Sequence, residues 1–332
     1  MEHIVINILK SKSLQEEKKA IKNLFEFYQG LDKKLLSGDI CLDNSTLIEG
    51  GRALSPQHAK DCVNDFVRTA RFIKGVYKAI SDLRKKHKGK VINILYAGCG
   101  PYGTLLIPLL TLFSSEDIQV TLLDIHKISI ESVKGIIHHL GYQDYIKEYV
   151  VCDATILGTK ANESFELIVT ETMDVALTKE PQVEITKSLK SLLYEEGVLI
   201  PEEIALTTHH SFFAKETRFK EGEGLCRGEL GSKKKSKCLF SITKDTVFEK
   251  ETNFNYESEA IEKGNLEENN PDICIYTNIK IYKDVKLNIG ESLITNPYCV
   301  SSIYSLKENL YKLRYSTKGI PNWTLVEEKG DS

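Results

Sequence analysis

The chain has 332 residues, 41% hydrophobic and 27% charged, enough for one large domain or two ordinary ones. Its 44 Lys and Arg against 47 Asp and Glu leave a formal net charge of -3, which excludes a bulk basic field for nucleic acid or an anionic membrane. No apolar run reaches the ~18 residues of a membrane helix, and the start MEHIVINILKSKS lacks the basic stretch and apolar core of a secretory signal. Eight cysteines are scattered singly, with no CxxC pair or zinc-finger spacing. They read as reduced thiols of a cytoplasmic protein with no metal site.

Residues 1–89 read as helical. Apolar residues recur at helical spacing over 14–36, interrupted by Gly30. A looser stretch ends in Gly50-Gly51. Ser55-Pro56 then opens a long helix, with Ser as N-cap and Pro in the first turn. Val63, Phe66, Ala70, Ile73, Tyr77 and Ile80 form its apolar stripe. Asp61, Asp65, Arg68 and Phe72 lie on another face, and Arg84, Lys85, Lys86 and Lys88 close the end, where cations suit the helix dipole.

Residues 90–206 alternate strand and helix. Strands are expected at 91–96, 119–123, 147–152 and 165–170 and from Gly197 to Pro201, with helices at 105–113, 129–139 and 183–193. This alternation predicts an α/β fold, a doubly wound Rossmann-like parallel sheet covered by helices. Residues 207–332 change to short β-type runs, at 205–213, 237–242, 273–282, 286–287, 292–294, 300–306 and 310–315, an all-β barrel or sandwich domain. The polar stretch 215–237 reads as a long loop or arm, and Lys233, Lys234 and Lys235 within it as a solvated loop.

The chemistry gathers in 90–206. Gly98, Gly100 and Gly103 form a GxGxxG turn between the first strand and the helix expected at 105–113, whose N-terminus favours negative charge. Asp124 ends the next strand, where a carboxylate can accept both hydroxyls of a ribose. Asp153 ends the third, where it can accept from an adenine amino group, and Glu171 ends the fourth. Taken singly, each aspartate reads as a cap or turn residue. Carboxylates ending successive parallel strands suit a cationic sulfonium nucleoside and would repel a pyrophosphate.

From Glu171 the chain reads ETMDVALTKE, ending at Glu180. This resembles the double-glutamate loop of the protein arginine methyltransferases, with Glu171, Met173 and Glu180 at its marked positions. The helix, Gly turn and strand that follow, to Ile200-Pro201, are similar too. Upstream, Asp65-Phe66-Val67-Arg68-Thr69 is similar to the family's Asp-x-x-Arg-Thr helix. The resemblance covers about 55–206, and beyond that only the order of zones matches. It implies that S-adenosylmethionine is the cofactor, with Arg68 on its carboxylate, and that Glu171 and Glu180 bracket a guanidinium. Tyr96 replaces the family's acidic residue two before the first glycine. Its Thr-His-Trp loop has no evident counterpart: His209-His210 comes too early, and the only Trp, Trp323, follows Pro321-Asn322. A homodimer is also implied, with 211–236 as its candidate arm.

The expected activity is methyl transfer to a nitrogen nucleophile, a guanidino or arginine-like acceptor that is a small molecule, peptide or protein. A natural-product O-, S- or N-methyltransferase, a non-catalytic subunit of the same fold and an NAD-dependent oxidoreductase are the alternatives. The last has no use for Glu171 and Glu180 as a pair. Read alone, Glu180 is a surface charge, and Arg68 a partner for Asp61, Asp65 or Glu49 at the surface.

Overall fold

The structure, a computed structural model, describes residues 1–35, 43–159, 163–228, 236–249, 253–263 and 271–329. The Lys233–Lys235 run and Cys41 lie outside the described residues. Helices α1 (Glu2–Lys10) and α2 (Leu14–Leu35) pack on each other through Val5, Ile8, Ile21, Leu24 and Tyr28. α2 passes through Gly30 unbroken, with nothing within 4 Å of where a Cβ would stand. Strands β1 (Thr46–Ile48) and β2 (Gly51–Ala53) form a hairpin.

The single long helix expected from Ser55 is two. Ser55 caps α3 (Pro56–Asp61), its Oγ accepting from the His58 amide at 3.2 Å. A 3₁₀ turn over Cys62–Asn64 follows, and the chain breaks at Asp65 (φ -72, ψ 78) before α4 (Phe66–Lys86). The break has a chemical reason. Asp65 Oδ1 accepts from the Arg68 amide at 3.3 Å as the N-cap of α4. Its Oδ2 accepts from Ser292 Oγ at 2.7 Å and the Leu293 amide at 2.8 Å. A residue inside a continuous helix could not turn its side chain onto its own helix end.

Five parallel strands make the central sheet: β3 (Ile92–Ala97), β4 (Ile118–Asp124), β5 (Ile146–Val151), β6 (Phe165–Thr170) and β7 (Leu193–Ile200), in the order β5-β4-β3-β6-β7. α5 (Lys127–Leu140) joins β4 to β5 and α6 (Gln182–Leu189) lies between β6 and β7. Alternation along β3 sorts the two faces. Ile92, Ile94 and Tyr96 enter one apolar core with α4 and α5, while Leu95 and Ala97 enter another with Ile185 and Leu189 of α6. The chain leaves β3 to one side for β4 and β5, then crosses back to β6. The carboxyl ends of β3, β4 and β6 therefore frame the crevice where such sheets bind ligands.

One expected helix is absent. After Gly103 the chain makes turns and a 3₁₀ segment, Ile107–Leu112, instead of an α-helix over 105–113. Pro108 disfavours the α conformation at Ile107, and Leu105, Leu106, Ile107, Leu109 and Leu110 are all buried, so this segment is core. No α-helix N-terminus crowns the glycine turn.

The last third is antiparallel. Its strands are β8 (Glu203–Ser211), β9 (Arg218–Lys220), β10 (Gly224–Cys226), β11 (Lys237–Thr243), β12 (Asn255–Glu257), β13 (Ile261–Glu262), β14 (Asp272–Tyr282), β15 (Val285–Leu287), β16 (Tyr298–Ser302), β17 (Leu310–Ser316) and β18 (Asn322–Glu328). One sheet runs β11-β8-β14-β15 with β16 also on β14, and a second runs β12-β17-β13 with β18 on β17. Phe240, Phe254, Tyr256, Tyr315 and Trp323 cluster between them. The strand expected at 292–294 is a 3₁₀ turn, Leu293–Thr295, capped by Ser292. The loop expected over 215–237 contains the β9–β10 hairpin.

Candidate active site

The glycine turn is built on left-handed backbone. Gly98, Gly100 and Gly103 have φ of 69°, 63° and 57°, a region that side chains with a Cβ rarely adopt. A Cβ on Gly98 would stand 2.5 Å from Thr172 Cγ2, so the missing side chain also lets the turn approach the segment after β6. Asp124 ends β4 and is 7% exposed. Its Oδ2 accepts from the Gly100 amide at 2.9 Å and its Oδ1 from the His126 amide at 2.8 Å. Asp124 thus braces the turn, and each of its oxygens keeps a lone pair for a further donor. Asp153 makes a local turn, Oδ1 accepting from the Thr155 amide and hydroxyl at 2.8 and 2.7 Å. Tyr96 sits in the core at 3% exposure. Burial pushes its phenol well above the usual range.

Arg68 is not a surface residue. Its guanidinium lies inside, Nη1 donating to Glu171 Oε2 at 2.5 Å and Nη2 to the Cys62 carbonyl at 2.8 Å. The two side chains are 10% and 5% exposed. Two atoms of this pair are left over: among the described residues, Arg68 Nε and Glu171 Oε1 are buried without a hydrogen-bond partner. Buried polar atoms without partners are uncommon and costly, about 1–3 kcal/mol each. Here one is a donor and the other an acceptor, at a ligand crevice. Burial pushes the Glu171 carboxyl up, and the Arg68 charge opposes it. Burial also pushes the Cys62 thiol up to about 11.

Glu180 is half-buried rather than freely exposed. Burial, and then the charge of Glu171, raise its carboxyl well above the usual range. The loop from Glu171 to Glu180 is strained: Ala176, Leu177 and Lys179 all have positive φ, of 52°, 58° and 60°. Non-glycine residues there cost roughly 1–2 kcal/mol each, and such strain persists only where surrounding structure enforces it.

That enforcement comes from distant segments. Trp323 Nε1 donates to the Ala176 carbonyl at 2.9 Å, and the Tyr315 hydroxyl to the Leu177 carbonyl at 2.8 Å. The Lys179 amide donates to the Pro321 carbonyl at 3.0 Å, and the Arg52 amide to the Lys179 carbonyl at 2.8 Å. Behind Glu180, a Cβ on Gly51 would stand 2.6 Å from Pro181 N and 2.7 Å from the Glu180 carbonyl carbon, so the β1–β2 hairpin fits only with glycine there.

The structure therefore brings Arg68, Glu171 and Glu180 into one electrostatic cluster, with the glycine turn and Asp124 beside it and Asp153 in a turn of its own. Sequence reasoning missed the supports: Asp65 as cap and bridge, the Gly50-Gly51 hairpin, Tyr315 and Trp323. The singleton Trp after Pro321-Asn322 was the available signal. Among the described residues no group of three or more His, Cys, Asp or Glu is placed to hold a metal ion, and no helix is long and apolar enough to cross a membrane.

The overall fold matches solved structures. Protein arginine methyltransferase 10 of Arabidopsis thaliana superposes with a TM-score of 0.53 at 11% identity, over 81% of this chain and 96% of that one. PRMT6 gives 0.50 at 10% identity, over 76% and 99%. The chain has the protein arginine methyltransferase fold. A third structure, the Trypanosoma brucei PRMT1 enzyme-prozyme heterotetrameric complex with AdoHcy, gives 0.49 at 14% identity, over 81% and 92%. No protein-family model and no curated protein matches the sequence. Within the arginine methyltransferase fold, the order found here is the expected one: helices, parallel sheet, antiparallel sheets.

Proposed function

We propose that the chain is an S-adenosylmethionine-dependent methyltransferase acting on a guanidino nitrogen. One observation carries the reading. Arg68 and Glu171 hold each other in the crevice, and among the described residues each keeps one buried atom without a partner. Arg68 Nε suits a carboxylate, the group at the amino-acid end of the cofactor. Glu171 Oε1 suits a cationic N–H. The left-handed glycines leave room for a nucleoside against the backbone, and Asp124 retains acceptor capacity for its ribose. Asp153, in its own turn, remains the adenine-side candidate. Residues 90–206 would then hold the cofactor and the β-rich remainder would complete the acceptor side.

S-adenosylmethionine supplies the electrophilic methyl group. The protein's own contribution is position and charge. Glu171 and Glu180 receive the guanidinium through two carboxylates, which fixes its plane and aims one nitrogen. Burial and the charge of Glu171 raise the Glu180 carboxyl, and a guanidinium between the two glutamates offsets that repulsion. A carboxylate oxygen then accepts the proton that the nitrogen releases. The strained loop holds the two glutamates in register before the acceptor binds, so little ordering remains to be done at that moment.

The test is calorimetric titration of the purified protein with S-adenosylhomocysteine and, separately, NAD. Radiolabelled methyl transfer to arginine and to arginine peptides follows. Micromolar binding of the first ligand with none of the second, and label on a guanidino nitrogen, is expected. Binding of NAD in its place, or label on oxygen or sulfur only, would overturn the reading.

A further inference from the structure

On the outer side of the strained loop lies a cavity of about 490 Å³, within the range that holds a small ligand or a few side chains. Val175, between the two glutamates in the chain, forms one wall. Phe213, Phe219, Leu293 and Tyr298 form others, and among the described residues Arg218 and Lys220 supply its only charged groups and no carboxylate lines it. Arg218 lies 4.8 Å over the Phe213 ring and donates to the Ala214 carbonyl at 3.4 Å. Among the described residues it has no acidic partner. Lys220 has only Glu223, at 3.4 Å and exposed.

The cavity is tied into the candidate site. The Phe219 backbone is gripped at both ends by Asn296: its amide donates to Asn296 Oδ1 at 2.7 Å and its carbonyl accepts from Asn296 Nδ2 at 2.9 Å. The Phe219 ring packs on Phe66, in the first turn of α4, at 5.3 Å. The Leu293 amide donates to Asp65, the cap of the helix that carries Arg68. These contacts hold the walls in place without a ligand.

We propose that this cavity is the acceptor's second anchoring point and selects a peptide in which an acidic and an apolar side chain flank the residue to be methylated. The proposal rests on the proposed function and deepens it. The glutamate pair attracts a cation, while Arg218 and Lys220, one loop away, attract an anion and repel a second cation. An extended peptide advances ~3.3 Å per residue, so neighbours within a few positions of the acceptor arginine bridge one loop. A glycine- and arginine-rich substrate would place positive charge against Arg218 and leave the aromatic walls uncovered. An acidic-aromatic segment satisfies both.

The test uses the full-length protein saturated with S-adenosylhomocysteine, so that binding is read without turnover. The probes are the peptides GFDRDFG and GFKRKFG and free arginine, titrated against wild type and Arg218→Glu/Lys220→Glu, with the fold of the variant checked by its melting temperature. The acidic peptide is expected to bind at least about tenfold tighter than the basic one, with the order reversed in the variant. Equal affinities, or a preference that the variant leaves unchanged, overturn the proposal. Free arginine binding as tightly as the acidic peptide overturns the peptide assignment. Charge-dependent peptide binding with no methyl transfer in the active assay would retain the cavity and reject the methyltransferase reading. Arginine methylation indifferent to flanking charge would do the reverse.

Discussion

Tyr315→Phe removes a single hydroxyl and nothing else. The ring stays in its aromatic cluster, 5.0 Å from Trp323 and 5.5 Å from Phe240. What is lost is the hydrogen bond to the Leu177 carbonyl, between groups that are each 1% exposed. A buried acceptor left without its donor costs about 1–3 kcal/mol. Leu177 holds a φ of 58°, itself unfavourable by roughly 1–2 kcal/mol, so the bond and the strain are of similar size. Without the bond, the loop should repopulate toward relaxed conformations by about tenfold for every 1.4 kcal/mol. The melting entropy of 332 residues is about 0.7 kcal/mol/K, so a loss of 1.4 kcal/mol lowers Tm by about 2 °C. Scanning calorimetry reads the fall in Tm and single-turnover methyl transfer the loosened loop, where a fall of about tenfold or more is expected. Tyr311→Phe is the control, because its hydroxyl bonds His210 at 2.7 Å and not the loop. That variant should lose stability and keep turnover. If Tyr315→Phe also keeps turnover, the loop does not need its tether and the reasoning fails.

Four further outcomes follow from the same geometry. Glu180→Gln should change the pH dependence of stability. A carboxyl whose folded pKa is raised contributes stability below its unfolded pKa and loses it as pH rises through the folded value. The variant's Tm should therefore gain on wild type as pH rises above the ordinary carboxylate range, and a constant gap would show that the Glu180 carboxyl is not raised in solution. Glu171→Gln should leave S-adenosylhomocysteine affinity within a few-fold, because Arg68 remains, and cut turnover by orders of magnitude. Turnover at the wild-type level would remove Glu171 from the chemistry. Gly98→Ala meets both a φ of 69° and Thr172 Cγ2 at 2.5 Å, so calorimetry should find nucleoside binding lost or severely weakened. Asp124→Ala frees the Gly100 and His126 amides and should weaken S-adenosylhomocysteine by at least about tenfold. Wild-type affinity there would exclude Asp124 from the nucleoside site.

The parallel sheet was legible because β3, β4 and β6 are short, mostly apolar runs and carboxylates close β4 and β6, a pattern that survives without any knowledge of packing. Ser55-Pro56 announced a helix start for the same local reason. Asp65 could not be read that way. Its break depends on Ser292 and Leu293, and nothing nearby in sequence signals a donor 227 residues off. The segment after Gly103 misled because apolar density looks alike in a helix and in a buried turn, and Pro108 was the cue that arbitrates. The short strands β9, β10, β12, β13 and β18 carry two to seven residues each, too few for periodicity to mark most of them. In the site, the resemblance of 171–180 and 65–69 to arginine methyltransferase motifs pointed to the glutamates and to Arg68. It could not say that Arg68 and Glu171 bind each other, or that Tyr315 and Trp323 hold the loop between them.

Those long spans decide when the site comes into being. The sheet and its glycine turn are complete once the ribosome has passed Ile200, yet the loop between the glutamates still lacks every tether from Tyr315, Pro321 and Trp323. At ~5–20 residues per second, the nascent chain carries a formed parallel sheet with an unset loop for several seconds before β18 emerges. The crevice is thus locked late, by strands that follow the whole parallel sheet in chain order. A nascent or truncated chain stopped before them would hold the right residues in the wrong backbone.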